Sequence, residues 1–285
     1  MSRGAGGRTK IAAVVGAPVA HSLSPLIHNA WIRAAGMDAL YVALSPPTDG
    51  FVTLARGMRG GPVRGFNVTT PFKQEALEVA DKASDRARRA GAANLLIFEA
   101  DGTVFADNTD GQGLLAAFAE QAPEFDPGAA AAIVIGAGGA ARSAVMTLLD
   151  AGAPRVWIFN RNKARAETLA NDAGKRAGAG GPGEIEGALS QAGVIINATT
   201  VGLGGAEGPH IPLEAAPPHA VIMDMVYRPV QTAFLQRAAS LGLRGVDGLA
   251  MLVGQAEPSF AALFGAPPPM IGVRALALAA LEADQ

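Results

Sequence analysis

Short apolar runs recur along the chain, each closed by a glycine or polar turn and most followed by a stretch with helical spacing. Residues 11–15, 40–44, 63–68, 132–135, 156–159, 221–226 and 244–246, with a further run from Val194, are too short for typical helices and rich in β-branched residues, so they predict buried strands. Residues 95–98 and 103–106 flank Asp101-Gly102 and predict a short hairpin. Helical spacing marks residues 51–58, 74–79, 84–90, 114–118, 231–241 and 271–282, and residues 249–264 form a largely apolar segment that holds Met251 and Gln255. Residues 120–130, with two prolines and little periodicity, and the glycine-rich residues 178–183 predict loops, the latter flexible and without chemistry. Alternation of this kind predicts an α/β protein with mostly parallel sheets, whose ligands lie beyond the carboxyl ends of the strands.

Residues 130–165 carry the strongest local signal. A strand ending at Ile135 runs into Gly136-Ala137-Gly138-Gly139-Ala140-Ala141 and then into a helix with apolar Val145, Leu148 and Leu149. Strand, glycine turn and helix in that order predict a dinucleotide site. Gly136 allows the tight turn, Gly138 lets a pyrophosphate approach the backbone, and Ala141 lets helix and strand pack closely. The helix start offers free N–H groups to an anion. After the next strand, where an NAD site places an acid for the ribose hydroxyl, stand Asn160-Arg161-Asn162-Lys163-Ala164-Arg165. A guanidinium pairs with a 2′-phosphate that a carboxylate would repel, so this end predicts NADP(H) over NAD(H).

Composition narrows the rest. The 285 residues suffice for one large or two moderate domains, and a net charge of −2 points to neither a nucleic-acid nor a membrane partner. With no cysteine, disulfides, thiolate metal sites and cysteine nucleophiles are excluded, and the four histidines lack helical metal-ligand spacing, so no metal is expected. Basic residues before residues 11–20 faintly suggest a signal peptide, but Gly16 and Pro18 interrupt that run. A disordered tail followed by a first strand, in a cytoplasmic protein, is the expectation.

Several polar residues have both a structural and a chemical reading. Ser24-Pro25 is a helix-start signal with Ser24 as N-cap, yet Ser22 and Ser24 at a helix N-terminus also suit a carboxylate. Thr69, Thr70 and Lys73 stand beyond a strand end, where a lone lysine is ordinarily a solvated charge. Asp110 is either a first-turn acid, behind a Thr109–Gln112 capping box, or a partner of Lys73.

Together the stretches HSLSPLIHN (21–29), NVTTPFK (67–73), GAANLL (91–96), DNTDG (107–111), GAGGAARS (136–143), NRNKAR (160–165), NATTVG (197–202), DMVYRP (224–229) and GLAMLVGQ (248–255) resemble the shikimate dehydrogenase family over nearly the whole chain. The resemblance implies an N-terminal α/β substrate domain (residues 1–110 with 247–285), a Rossmann-like NADP-binding domain (111–246), and C-terminal helices returning to the first. It implies a monomer or homodimer that interconverts 3-dehydroshikimate and shikimate with NADP(H), on the route to chorismate and the aromatic amino acids. By the same resemblance Ser22 and Ser24 hold the substrate carboxylate with Tyr227 nearby, and Thr69, Asn94 and Gln255 bind ring oxygens. Lys73 stabilises and protonates the reacting oxygen while Asp110 holds its ammonium and binds the neighbouring hydroxyl. Cofactor contacts fall to Gly136, Ala137, Gly138, Gly139, Ala140, Asn160, Arg161, Asn162, Arg165, Thr199, Val226, Gly248 and Met251. The chain departs from the family pattern at Asn162 and Leu95, both commonly Thr, and at Ala250, often Gly. Quinate or NAD specificity and a non-catalytic NADP-binding sensor are the alternatives.

Overall fold

A computed structural model describes residues 6–283 as two compact α/β units. The first holds the described residues up to Thr109 together with those from Gln255 onward, and the second is Asp110–Gly254. The first begins with β1 (Lys10–Val15), α1 (Ser24–Ala34), β2 (Ala39–Leu44), α2 (Phe51–Gly57) and β3 (Val63–Val68). It continues through α3 (Lys73–Val79), β4 (Lys82–Ala83), α4 (Asp85–Ala90), β5 (Leu95–Phe98) and β6 (Val104–Asp107). The sheet order is β2-β1-β3-β5-β6-β4; β1 pairs parallel with β2 and β3, while the β5–β6 hairpin pairs antiparallel with itself and with β3. The chain therefore reverses its direction of strand addition at β1, leaving a switch point beside β3.

The second unit is wound throughout from parallel strands. It comprises α5 (Asp110–Gln121), β7 (Ala131–Ile135), α6 (Gly139–Asp150), β8 (Val156–Phe159), α7 (Lys163–Ala173) and β9 (Ala177–Gly180), followed by α8 (Glu186–Leu189), β10 (Ala192–Asn197), β11 (Val221–Asp224), α9 (Ala233–Ser240) and β12 (Arg244–Val246). Its order, β12-β11-β10-β7-β8-β9, is that of a dinucleotide fold, with the switch point where β7 meets β10. α6 supplies buried Val145, Leu148 and Leu149 to the core beneath β7 and β8, as its spacing predicts. The chain closes with α10 (Gly248–Phe264), which belongs to the first unit from Gln255, and α11 (Val273–Ala283), which packs against α1.

Four expectations need correction. The region expected as a disordered tail is, over residues 6–9, a turn in which Thr9 Oγ1 accepts from the Gly6 N–H and donates to Asp38 at 2.6 Å; residues 1–5 lie outside the described residues. Ser24 is not an N-cap: it is the first residue of α1, and its own N–H donates to Ser22 Oγ at 3.2 Å. α5 extends to Gln121, into the expected loop. The glycine-rich residues expected as a loop contain β9, paired parallel with β8. Glycine is needed on this edge because the β8 aromatics lie over it. A Cβ on Gly178 would collide with the Trp157 ring, and one on Gly180 would come within 2.6 Å of Phe159. Local glycine content misleads here because packing against a neighbouring strand outweighs strand propensity.

In the first unit, α1 carries His28 into an aromatic stack. Its ring lies parallel to Tyr41 at 4.1 Å, edge-on to Trp31 at 5.6 Å, and 5.9 Å from Phe260. Both ring nitrogens are buried with no hydrogen-bond partner among the described residues, and burial lowers the imidazole pKa from 6.5 to about 3. The neighbouring Asn29 closes the sheet edge: its side chain donates to the Tyr41 carbonyl at 2.7 Å and accepts from the Tyr41 N–H at 3.0 Å. The β2 edge thus has its central peptide groups occupied, a known guard against edge-to-edge pairing.

His28 makes stability acid-sensitive. The unfolded chain protonates this imidazole below pH 6.5 while the folded chain resists down to about 3, so stability present above 6.5 is lost as pH falls through that window. Between pH 7 and pH 5 the wild type should lose about 2 kcal/mol more than His28→Phe, read from urea unfolding at the two pH values. An identical pH dependence in the two proteins would show that His28 is not buried as a neutral, unpartnered ring.

Candidate active site

At the switch point of the first sheet, two loops leave the carboxyl ends of adjacent parallel strands. β1 runs into residues 16–24 and β3 into residues 69–73. The loops are tied together: the Thr69 N–H donates to the Val15 carbonyl at 2.9 Å and the Ala17 N–H to the Thr70 carbonyl at 3.1 Å. A Cβ on Gly16 would collide with the Thr69 methyl, so this glycine permits the close approach. Ser22 is half-buried, and Ser24, only 5% exposed, has no partner for its hydroxyl among the described residues. The position of Ser24 at the head of α1 suits an anionic oxygen.

Lys73, half-buried, is the first residue of α3, and its carbonyl accepts from the Ala93 N–H at 2.8 Å, one residue before Asn94. The Asn94 carbonyl in turn takes the Val68 N–H at 2.8 Å, which fastens this turn to the end of β3. The Asn94 side chain is buried and held from both sides. Its Oδ1 accepts from the Thr109 N–H at 2.7 Å; its Nδ2 donates to Thr109 Oγ1 at 2.9 Å and to Gln255 Oε1 at 3.3 Å. Asn94 and Gln255, 161 residues apart, are therefore neighbours in the first unit. Asp110, at 5% exposed, opens α5 in the second unit.

Asn67, Thr109 and Ser259, none of them a predicted site residue, complete a buried polar network around these two amides. Asn67 Oδ1 accepts from Tyr41 Oη at 2.8 Å, and its Nδ2 donates to Ser259 Oγ at 2.9 Å. Burial raises the Tyr41 phenol well above its ordinary value and keeps it a donor. Asn67 and Thr109 lie inside quoted motifs, where an amide or hydroxyl beside apolar positions is a usable signal; Ser259, in an apolar helix, offers none.

In the second unit the switch point holds the glycine turn. Gly136 has φ +118°, and a Cβ there would lie 3.1 Å from both the Ala198 carbonyl and the Thr199 methyl. The two loops after β7 and β10 therefore touch through a residue that must be glycine. Gly138 precedes α6 with no side-chain cap, and a Cβ there would project into open space. That combination, an uncapped helix start with room for a phosphate, fits a pyrophosphate with Gly138, Gly139 and Ala140 as its donors. Thr199 is turned inward, with its hydroxyl donating to Asn197 Oδ1 at 2.7 Å, so its methyl and backbone line the turn.

Charges at the end of β8 separate into two classes. Lys163 pairs with Glu184 at 2.7 and 2.9 Å, whereas the exposed Arg161 and Arg165 side chains have no partner among the described residues. Asn162 caps α7 by accepting the Arg165 N–H at 3.4 Å, and Asn160 donates to the Asn162 carbonyl at 2.8 Å. This end presents two unpaired guanidinium groups and no carboxylate among residues 160–165, a donor set that fits a 2′-phosphate.

The remaining predicted residues follow β11. Asn197 Nδ2, Val226 N–H and Thr232 Oγ1 converge on Asp224 at 2.9, 3.0 and 2.7 Å, and burial still raises its carboxyl above the usual range. The anchored turn carries buried Val226 and half-buried Tyr227. Gly248 opens α10 against it: a Cβ there would collide with the Met225 carbonyl and lie 2.8 Å from that of Val226. Met251, one turn on, is buried in the second unit's core.

Comparison with known proteins agrees with this arrangement. Residues 14–96 match the family model for the shikimate dehydrogenase substrate binding domain, and residues 119–203 that for shikimate/quinate 5-dehydrogenase. A curated NADP(+)-dependent shikimate dehydrogenase of Caulobacter vibrioides is 56% identical over 95% of this chain and 96% of its own. One from Dinoroseobacter shibae is 41% identical over 95% and 98%. The solved shikimate 5-dehydrogenase of Thermus thermophilus, in complex with NADP(H) and shikimate, superposes with a TM-score of 0.84 at 35% identity, covering 95% of this chain and 99% of that one. The chain belongs to the shikimate dehydrogenase family.

Proposed function

We propose that this chain is an NADP-dependent shikimate dehydrogenase that reversibly reduces 3-dehydroshikimate to shikimate in a cytoplasmic biosynthetic route. One observation carries the reading: a chain 56% identical to a curated NADP(+)-dependent enzyme also gathers hydroxyls, amides and a lysine at the switch point of its first sheet. Ser22 and Ser24 bind the substrate carboxylate, with Tyr227 assisting. Thr69, Asn94 and Gln255 hold ring oxygens, a task suited to amides that both donate and accept. Bound NADPH supplies the hydride. Lys73 stabilises the negative charge that develops on the ketone oxygen and gives that oxygen its proton. Asp110 accepts a hydrogen bond from the adjacent hydroxyl and so fixes the face of the ring presented. Gly136, Ala137, Gly138, Gly139 and Ala140 receive the pyrophosphate, Asn160, Arg161, Asn162 and Arg165 the 2′-phosphate end, and Thr199, Val226, Gly248 and Met251 the nicotinamide end.

The direct test follows nicotinamide absorbance with shikimate and quinate crossed against NADP+ and NAD+. Reduction should be fastest with shikimate and NADP+; preference for quinate or NAD+ would move the chain elsewhere within its family, and silence in every combination would refute an enzyme.

Two variants separate chemistry from binding. Lys73→Ala should lower kcat by about 10²- to 10⁴-fold while the NADPH Kd, measured by nicotinamide fluorescence, stays within about twofold. Retained turnover would remove Lys73 from the proton step. Arg161→Ala should raise the Kd for NADPH about tenfold or more and leave that for NADH nearly unchanged, since a charged hydrogen bond to phosphate is worth about 1.5–3 kcal/mol. Equal losses for both cofactors would disprove the 2′-phosphate contact.

A further inference from the structure

Of the three cations that follow β8, one already has a partner. Lys163 is the first residue of α7, and its ammonium donates to both Glu184 oxygens, at 2.7 and 2.9 Å. Glu184 closes a single helical turn, Pro182–Glu184, just after β9, with its N–H on the Gly181 carbonyl at 3.0 Å. From there its side chain folds back over the end of the strand, so that Oε2 lies 3.1 Å from where a Cβ on Gly180 would stand. Gly180 is the register partner of Phe159, and its carbonyl accepts from the Asn160 N–H at 3.3 Å. The carboxylate is thus brought from the neighbouring strand to the flank of the turn that carries Arg161 and Arg165. The hydrogen bonds between the pair raise the Lys163 ammonium and lower the Glu184 carboxyl, so both stay ionised near neutrality.

We infer that Lys163 is a positioning residue for cofactor discrimination: it holds and neutralises a carboxylate that would otherwise act against a 2′-phosphate, and is not itself a phosphate ligand. The inference rests on the reading that Arg161 and Arg165 receive that phosphate. An acid at this end of a dinucleotide fold favours NAD(H), because it accepts from the ribose hydroxyl and its charge repels a phosphate. Residues 160–165 contain no acid, yet the fold brings Glu184 to the same end of the sheet. With both of its oxygens on the Lys163 ammonium, that acid presents little net charge.

The experiment measures the Kd of NADPH and of NADH by nicotinamide fluorescence for wild type, Lys163→Met, Glu184→Gln, the double variant and Arg161→Ala. An exposed ion pair contributes little to stability, so all the variants should fold. Lys163→Met should raise the NADPH Kd about fivefold and leave the NADH Kd unchanged or lower, since it frees Glu184. Glu184→Gln should bind NADPH at least as tightly as wild type, and the double variant should return to within about twofold of it. Were Lys163 touching the phosphate, removing Glu184 as well would restore nothing. A double variant as weak as Lys163→Met therefore overturns the inference. So does an NADPH Kd in Lys163→Met within about twofold of wild type, or an equal loss for both cofactors. Arg161→Ala judges the underlying reading separately. If it weakens NADPH alone, the 2′-phosphate site stands and the Lys163 variants decide this inference by themselves; if it weakens both cofactors equally, the site and this inference fail together.

Discussion

The hydrogen bond from the Thr109 N–H to Asn94 Oδ1, at 2.7 Å, is the join on which the first unit's functional face depends. It links a backbone group at the end of the β6 segment to a side chain at the start of β5. Asn94 then passes the constraint on, through its carbonyl to the end of β3 and through its Nδ2 to Gln255 on α10. The end of β3, the two ends of the β5–β6 hairpin and α10 are thereby joined by direct hydrogen bonds. The energetic reason is asymmetric: a satisfied buried amide adds about 1 kcal/mol, whereas an unsatisfied one costs about 1–3 kcal/mol. A network in which Tyr41, Asn67, Thr109, Ser259, Asn94 and Gln255 all depend on one another favours a single arrangement. Rigidity of this kind is what amides that must address a particular hydroxyl require.

Elements with clear periodicity were legible in the sequence. The strand at Val63–Val68 and the short β12 have the bounds that the pattern predicts, and the glycine turn after Ile135 stands at the switch point of a parallel sheet. Lys73 and Asn94 stand out only through the resemblance of their motifs, since a lone lysine beyond a strand end is ordinarily a solvated charge and Asn94 directly precedes β5. Illegible was everything fixed by contact at long range. Ser259 sits in an apolar helix and acquires meaning only when Asn67, 192 residues away, donates to it. Ser24 followed by proline looks like a cap, yet the hydroxyl that receives the first helical N–H is that of Ser22. The edge strand β9 was hidden because its glycines serve the rings of Trp157 and Phe159 and so carry no β propensity of their own.

In the nucleotide unit the informative residue is the one whose charge is already used. Sequence places three cations near the end of β8 and cannot rank them. Lys163 faces Glu184, so the pair presents little net field, while Arg161 and Arg165 retain their full charge and their planar donors. Exposed ion pairs contribute little to stability, and Lys163–Glu184 is half-exposed on both sides. The pair occupies the Glu184 carboxylate that lies beside Gly180 of β9, and a free carboxylate there would repel a phosphate at that edge. The missing acid and the neutralised acid act in the same direction.

Both units use one topological device and fill it with opposite chemistry. In each, the chain reverses its order of strand addition, so two loops leave adjacent parallel strands and diverge from a shared gap. In the first, the loops bring hydroxyls and a lysine, and Gly16 is small so that Thr69 can come close. In the second, the loop after β7 brings glycines and a helix start without a side-chain cap, and Gly136 is small so that the turn after β10 can come close. A hydroxylated ring needs several directional partners held rigidly, which only buried, cross-bonded side chains provide. A pyrophosphate needs diffuse positive potential and close backbone approach, which side chains would obstruct. The shared topology leaves the residue types free to differ, polar in one gap and small in the other.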